Sequence, residues 1–230
     1  MPALPDLPAD ASANEARHAF ERDGWRLIGT GDWSWVFADP SDAWAARITP
    51  FDPAYRMFVE FCRAGPPNAF LPHIERLLPL ARDGYVVVMA RLFPVDEDAA
   101  ERFCRTLGIT TDSGYAPPPG MPMADAGGAI AELRGRLRAL LAQGAQRFAL
   151  WGGSDIRPGN ILVDGAGQLK LIDPVFVRGK AIVAAIASGE REALRDFSRS
   201  QLEDFLTIPV FKPSAESDAL RKRVAELFEE

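Results

Sequence analysis

Ser154-Asp155-Ile156-Arg157-Pro158-Gly159-Asn160-Ile161-Leu162-Val163, followed by Leu169-Lys170-Leu171-Ile172-Asp173-Pro174, is the stretch whose reading decides the fold. Its two aliphatic runs are short and parted by Asp164-Gly165-Ala166-Gly167, which predicts two strands joined by a turn. A loop with Asp155 and Asn160 enters the first strand, and Asp173 ends the second. Asp and Asn often cap turns through local hydrogen bonds, so a hairpin with capped ends is one reading. The other is chemical. A carboxylate, an amide five residues on and a second carboxylate suit phosphoryl transfer, the first accepting a hydroxyl proton and the others holding Mg²⁺.

A second motif lies upstream. Trp25 to Ile48 reads as three strands, Trp25–Ile28, Trp35–Ala38 and Ala43–Ile48, with Gly29-Thr30-Gly31-Asp32-Trp33-Ser34 turning the first into the second. Glycine at 29 and 31 permits unusual backbone geometry and the close approach of a ligand. Because the turn joins two strands rather than opening a helix, it is not the dinucleotide-binding fingerprint.

Together the two stretches resemble the protein-kinase-like superfamily. Asp155-x-x-x-x-Asn160 followed by an Asp173-led turn matches the superfamily's catalytic and metal loops, and Pro158 before Gly159-Asn160 resembles the aminoglycoside-phosphotransferase branch and small bacterial and phage kinases. Residues 29–36 are similar to its glycine-rich loop, with Ser34 at the third glycine position and Val36 at the valine position. Trp44-Ala45-Ala46-Arg47 falls where kinases carry Val-Ala-x-Lys, so Arg47 takes the place of the lysine that holds the phosphates. The first 169 residues contain no lysine: there are 22 arginines, and the four lysines are Lys170, Lys180, Lys212 and Lys222. Arginine keeps the charge and binds phosphate bidentately, but it is bulkier and not an equivalent exchange.

The resemblance implies an α+β, two-lobed kinase-like fold with a reduced helical C-terminal lobe. Residues 1–89 would form the N-terminal lobe, 90–92 a hinge and 93–230 the C-terminal lobe. Asp155 would be the base, Arg157 a contact to the transferring phosphate, and Asn160 and Asp173 the metal ligands. Arg47 would clamp phosphates, oriented by Glu60 on a helix over 53–63; a surface Glu60 balancing Arg56 or Arg63 is the plainer alternative. The nucleotide would lie against Ile28, Gly29, Gly31, Ser34, Val36, Ala45, Met89 and Leu162, with hinge residues Ala90, Arg91 and Leu92 bonding the base. ATP and Mg²⁺ are the implied cofactors, and a protein Ser/Thr hydroxyl the first acceptor considered. A small aminoglycoside- or sugar-type acceptor, or a pseudokinase that binds nucleotide without turnover, are the alternatives. Gly153 where many relatives carry His, and Pro174-Val175 without the usual glycine, depart from the pattern.

Composition narrows the field. A net charge of −6 with no basic run argues against nucleic acid, and no apolar run reaches membrane-spanning length. Two cysteines and two histidines make neither a disulfide framework nor a zinc site. Residues 1–8 lack a basic region and an apolar core, so no secretory signal is read and a cytoplasmic location is expected. Residues 1–10 read as loose, 11–22, 95–107 and 129–147 as helices, 85–89 as a buried strand and 109–126 as a long loop. Two or three helices are expected over 180–230, among them 201–206 and 217–228.

Overall fold

The computed structural model describes residues 2–116, 120 and 127–229. In chain order the elements are α1 (Ala13–Arg22), β1 (Arg26–Thr30), β2 (Trp35–Ala38), β3 (Trp44–Thr49), α2 (Pro53–Ala64), β4 (Ile74–Pro79), β5 (Tyr85–Ala90) and β6 (Phe93–Pro94). There follow α3 (Glu97–Leu107), α4 (Gly127–Arg147), β7 (Trp151–Ser154), β8 (Ile161–Val163), β9 (Leu169–Leu171), β10 (Val175–Val177), α5 (Gly179–Ser188), α6 (Arg199–Phe205) and α7 (Ala215–Leu227). This is the expected α+β class, with an N-terminal sheet and a helical C-terminal part. The triple-proline run at 117–119 and most of the loop after it lie outside the described residues.

The chain divides into two compact units that do not follow chain order: 1–52, 74–91 and 179–230 form one, 53–73 and 92–178 the other. The sequence reading placed everything after residue 92 in a single lobe. Instead the last fifty residues group with the N-terminal sheet, and α2 groups with the catalytic-loop segment.

In the first unit five antiparallel strands run in the order β1-β2-β3-β5-β4. Alternation sorts their side chains onto two faces. Trp35, Phe37, Ala46, Ile48, Val86 and Val88 form one core with Ala16 and Phe20 of α1. Ser12 starts α1 with a capping box, in which the Ser12 N–H donates to Glu15 Oε2 at 2.8 Å. Leu4 and Leu7 pack against this core, so the segment expected to be loose is attached by its apolar residues. The opposite face carries Val36, Ala45, Arg47, Val87 and Met89, aligned by the pairs Val36↔Arg47, Arg47↔Val87 and Ala45↔Met89.

The C-terminal helices of this unit seal the glycine-containing turn. The Trp33 ring lies 5.2 Å from Phe205 and 6.2 Å from Phe51. Phe197 packs on Phe51 and Phe211 on Phe205. The Val210 N–H donates to the Asp32 carbonyl at 3.1 Å. Aromatic pairs of this kind contribute about 0.5–1.5 kcal/mol each beyond their buried area.

Arg82, between β4 and β5, pairs with Asp204 of α6 at 3.0 Å. Burial nevertheless outweighs Arg82 and pushes the Asp204 carboxyl up to about 6, and its Oδ2 is buried without a hydrogen bond. A raised folded-state pKa favours the neutral acid in the native protein. Its contribution to stability is full below the ordinary value of 3.8 and is lost as pH rises through about 6. Asp204→Asn should therefore flatten the dependence of the urea midpoint on pH between about 4 and 7. Identical slopes for parent and variant would remove Asp204 from that dependence.

In the second unit β7 pairs with β10, and β6-β8-β9 form a three-stranded sheet. α4 buries Ile130, Leu133, Leu137 and Leu140. Gly144 on that helix leaves room for the Trp151 ring, which a Cβ there would meet at 2.3 Å. The strand leading to Asp155 thus sits tightly on α4.

Candidate active site

The site is built from the chain on either side of two short strands. β7 ends at Ser154, opposite Val175 of β10, and the Asp155 N–H donates to the Pro174 carbonyl at 2.7 Å. This places Asp155 beside the Asp173-Pro174 segment. A single 3₁₀ turn, Pro158–Asn160, then returns the chain to β8, and the Ile172 N–H donates to the Asn160 carbonyl at 3.0 Å.

Asn160 ties the constellation together. Its amide nitrogen lies 2.7 Å from the Asp155 carbonyl, 2.9 Å from Asp155 Oδ2 and 2.7 Å from the Asp173 carbonyl. All three partners only accept, which settles which end of the amide is nitrogen. Two hydrogens serve three oxygens on a side chain that is 7% exposed. Fixing the nitrogen leaves Oδ1 available as a ligand oxygen.

Asp155 is mostly covered, with its side chain 16% exposed. Arg157 Nε lies 3.1 Å from both of its oxygens and hydrogen-bonds Oδ2. Asp155 Oδ1 is buried and accepts no hydrogen bond. A buried acceptor left open costs stability, roughly 1–3 kcal/mol, unless a ligand or proton satisfies it. The Arg157 side chain is half exposed, so it can move without disturbing packing.

Asp173 is partly buried and follows β9. An amide oxygen and one carboxylate are hard donors, and Mg²⁺ is typically held by one or two carboxylates with substrate phosphates completing its shell. Among the described residues there is no group of three or more His, Cys, Asp or Glu side chains that could hold a metal ion. Asn160 and Asp173 offer one amide oxygen and one carboxylate, donors of the kind Mg²⁺ accepts. Burial pushes the Cys62 and Cys104 thiols up to about 12, which disfavours their thiolates.

The remaining candidates lie on or beside the sheet of the first unit, on α2, or, as Leu92 and Leu162, elsewhere in the second unit. Gly29 faces Val36 across β1 and β2, and Gly31 donates to the Ser34 carbonyl at 2.9 Å. Neither glycine adopts positive φ, and a Cβ at either would make only ordinary contacts at 3.9 Å. The unusual backbone geometry that glycine permits is therefore not used at either position. Ser34 is buried, Ile28 and Val36 are partly buried, and Ala45 and Met89 share a face with Arg47. Ala90 ends β5, and the Arg91 N–H donates to the Ala43 carbonyl at 2.8 Å. Leu92 is buried, and Leu162 is partly buried on β8.

Arg47 pairs with Asp52, Nη2 to Oδ2 at 3.2 Å, both side chains nearly buried at 13% and 10% exposure. The Tyr85 hydroxyl donates to the Asp52 carbonyl at 2.8 Å and fixes the loop that carries it. Glu60, expected to orient Arg47, is half exposed and bonded by Arg56 one turn earlier at 2.8 Å. Asp52 was missed because it directly precedes Pro53 and looks like an ordinary helix-start residue. The demand of a buried cation for a nearby carboxylate was the signal that could have found it.

No protein-family model matches the chain, and no curated protein matches it. Several solved structures are similar. Aminoglycoside phosphotransferase APH(3'')-Id from Streptomyces rimosus ATCC10970 is 14% identical, with 92% of this chain and 95% of that one covered and a TM-score of 0.36. For aminoglycoside phosphotransferase APH(4)-Ia the values are 12%, 94%, 97% and 0.34. For the CAK complex from Chaetomium thermophilum bound to ATP-gamma-S they are 13%, 90%, 76% and 0.37. Likeness this distant decides nothing about the reaction, which has to be argued from the chain's own residues.

Proposed function

We propose that this chain is an ATP- and Mg²⁺-dependent phosphotransferase acting on a hydroxyl acceptor. The observation that carries the reading is the Asn160 amide, which ties the Asp155 carboxylate and backbone to the backbone of Asp173 and so holds the three residues in one constellation. Bound Mg·ATP would supply the transferable phosphoryl group and the divalent charge that offsets its oxygens. Asp155 orients the acceptor hydroxyl and takes its proton, Asn160 and Asp173 hold the metal, and Arg157 meets negative charge at the transferring group. Arg47 clamps phosphates, with Asp52 in the orienting role first read for Glu60. Ile28, Gly29, Gly31, Ser34, Val36, Ala45, Met89, Ala90, Arg91, Leu92 and Leu162 contact the nucleotide.

The test uses γ-labelled ATP and Mg²⁺ with the purified chain, offering a protein mixture in one arm and aminoglycosides and amino sugars in another. Labelled protein would identify a protein kinase, and a labelled small molecule a metabolite- or antibiotic-type kinase. No label in either arm, with Mg·ATP still bound, would overturn the phosphotransferase reading in favour of a nucleotide-binding pseudokinase. Asp173→Ala should abolish Mg²⁺-dependent ATP binding in calorimetry. Unchanged affinity would take Asp173 out of the metal site.

A further inference from the structure

We propose that Thr111 and Asp112 form a clasp that positions Asp155, making Asp112 a positioning residue for phosphoryl transfer; the proposal rests on Asp155 being the base. Asp112 meets the backbone of Ser154 twice. Its N–H donates to the Ser154 carbonyl at 2.8 Å, and its Oδ2 accepts the Ser154 N–H at 2.8 Å. One residue thus satisfies both backbone polar groups of Ser154, the residue before Asp155, on the edge of β7 that β10 leaves open. Thr111 Oγ1 donates to the Ile156 carbonyl at 2.6 Å, on the other side of Asp155. With the Asp155 N–H held by Pro174, the backbone is fixed before, at and after the proposed base.

The clasp explains the glycine at 153. Gly153 has φ +95°, and a Cβ there would lie 2.2 Å from Asp112 Oδ2 and 2.6 Å from its Cγ. Both the backbone conformation and the Asp112 carboxylate exclude a side chain at this position. The space beside the catalytic loop that a residue at 153 would otherwise fill is taken by an acid from a segment about forty residues earlier. Asp112 is itself exposed, so its clasp with Ser154, rather than core packing, is what it gives the loop.

Asp112→Ala removes the acceptor for the Ser154 N–H, whereas Asp112→Asn keeps an oxygen in the same place. For phosphate transfer from Mg·ATP, Asp112→Ala should lower kcat by about 10- to 10²-fold, the range expected when a reacting group is displaced by about an ångström. KM for ATP should stay within about two-fold of the parent, and Asp112→Asn should recover most of the lost kcat. Gly153→Ala should mimic Asp112→Ala, and the double variant should be little worse than either single one. A parental kcat in Asp112→Ala, a loss confined to KM for ATP, or equal losses in Asp112→Ala and Asp112→Asn would each overturn the clasp. Should the parent transfer no phosphate, it is the reaction that fails. The clasp is then judged by amide hydrogen exchange: faster exchange at Ser154 in Asp112→Ala supports it, and unchanged exchange refutes it.

Discussion

Asp155→Ala is expected to cut phosphate transfer by at least ~10²-fold while leaving Mg·ATP affinity close to that of the parent. The asymmetry follows from where the side chain works. Asp155 Oδ2 is engaged by Asn160 and Arg157, while Oδ1 has the half-exposed Arg157 beside it at 3.1 Å, so Oδ1 is the oxygen that a shift of Arg157 would offer to an incoming hydroxyl. The variant removes the proposed base and leaves the proposed metal ligands Asn160 and Asp173 in place. Asp155→Asn sharpens the test, because it keeps size and polarity while losing basicity. Both variants should be measured by single-turnover transfer and by calorimetry with Mg·ATP. Parental turnover in either would exclude Asp155 as the base. A matching collapse of nucleotide affinity would recast it as a metal or phosphate ligand.

The second large effect concerns Arg47 and Asp52. Their side chains are nearly buried and only 3.2 Å apart, so each helps to set the other's position. Arg47→Ala should reduce kcat/KM by about 10²- to 10³-fold, the usual cost of deleting a preorganised contact to developing charge. Asp52→Ala should approach that loss because Arg47 is then misdirected. The double variant should fall little further than Arg47→Ala, a coupling that independent residues would not show. Arg47→Lys should retain partial activity well above Arg47→Ala, since it keeps a cation but not the planar fork. Glu60→Ala should have a small effect, as an exposed helical pair with Arg56 contributes at most a few tenths of a kcal/mol. Additive losses at Arg47 and Asp52, or a Glu60→Ala loss as deep as that at Asp52, would restore Glu60 as the orienting acid.

The local elements were legible where periodicity and punctuation agree. The strands around the first glycine turn, the hairpin after Asn160 and the long α4 all lie within a few residues of where alternation, turn residues and helical spacing put them. β6 was invisible because two residues carry no pattern and only pairing with β8 defines them. Asp155, Asn160 and Asp173 stood out because their spacing is local. Asp52 and Asp112 did not, since their partners are fixed by tertiary approach: Tyr85 anchors the first, and the left-handed Gly153 admits the second. Gly153 was visible in the sequence only as a departure from a pattern. The grouping of the compact units was hidden for the same reason, because no linear cue marks 179–230 as the cover for Trp33 and Phe51.

That grouping has a consequence for synthesis. A nascent chain that has emerged to residue 178 contains every segment of the unit holding Asp155, Asn160 and Asp173, and all five strands of the other unit's sheet. It contains none of Phe197, Phe205 or Phe211, and therefore nothing of the aromatic layer that closes over Trp33 and Phe51. Chains fold as their units become complete. The unit holding Asp155, interior in sequence, can thus be finished first, while the unit that contains Trp33 waits for the helices after residue 178. Until then the Trp33 turn is a wet aromatic surface, closed only by segments synthesised long after it.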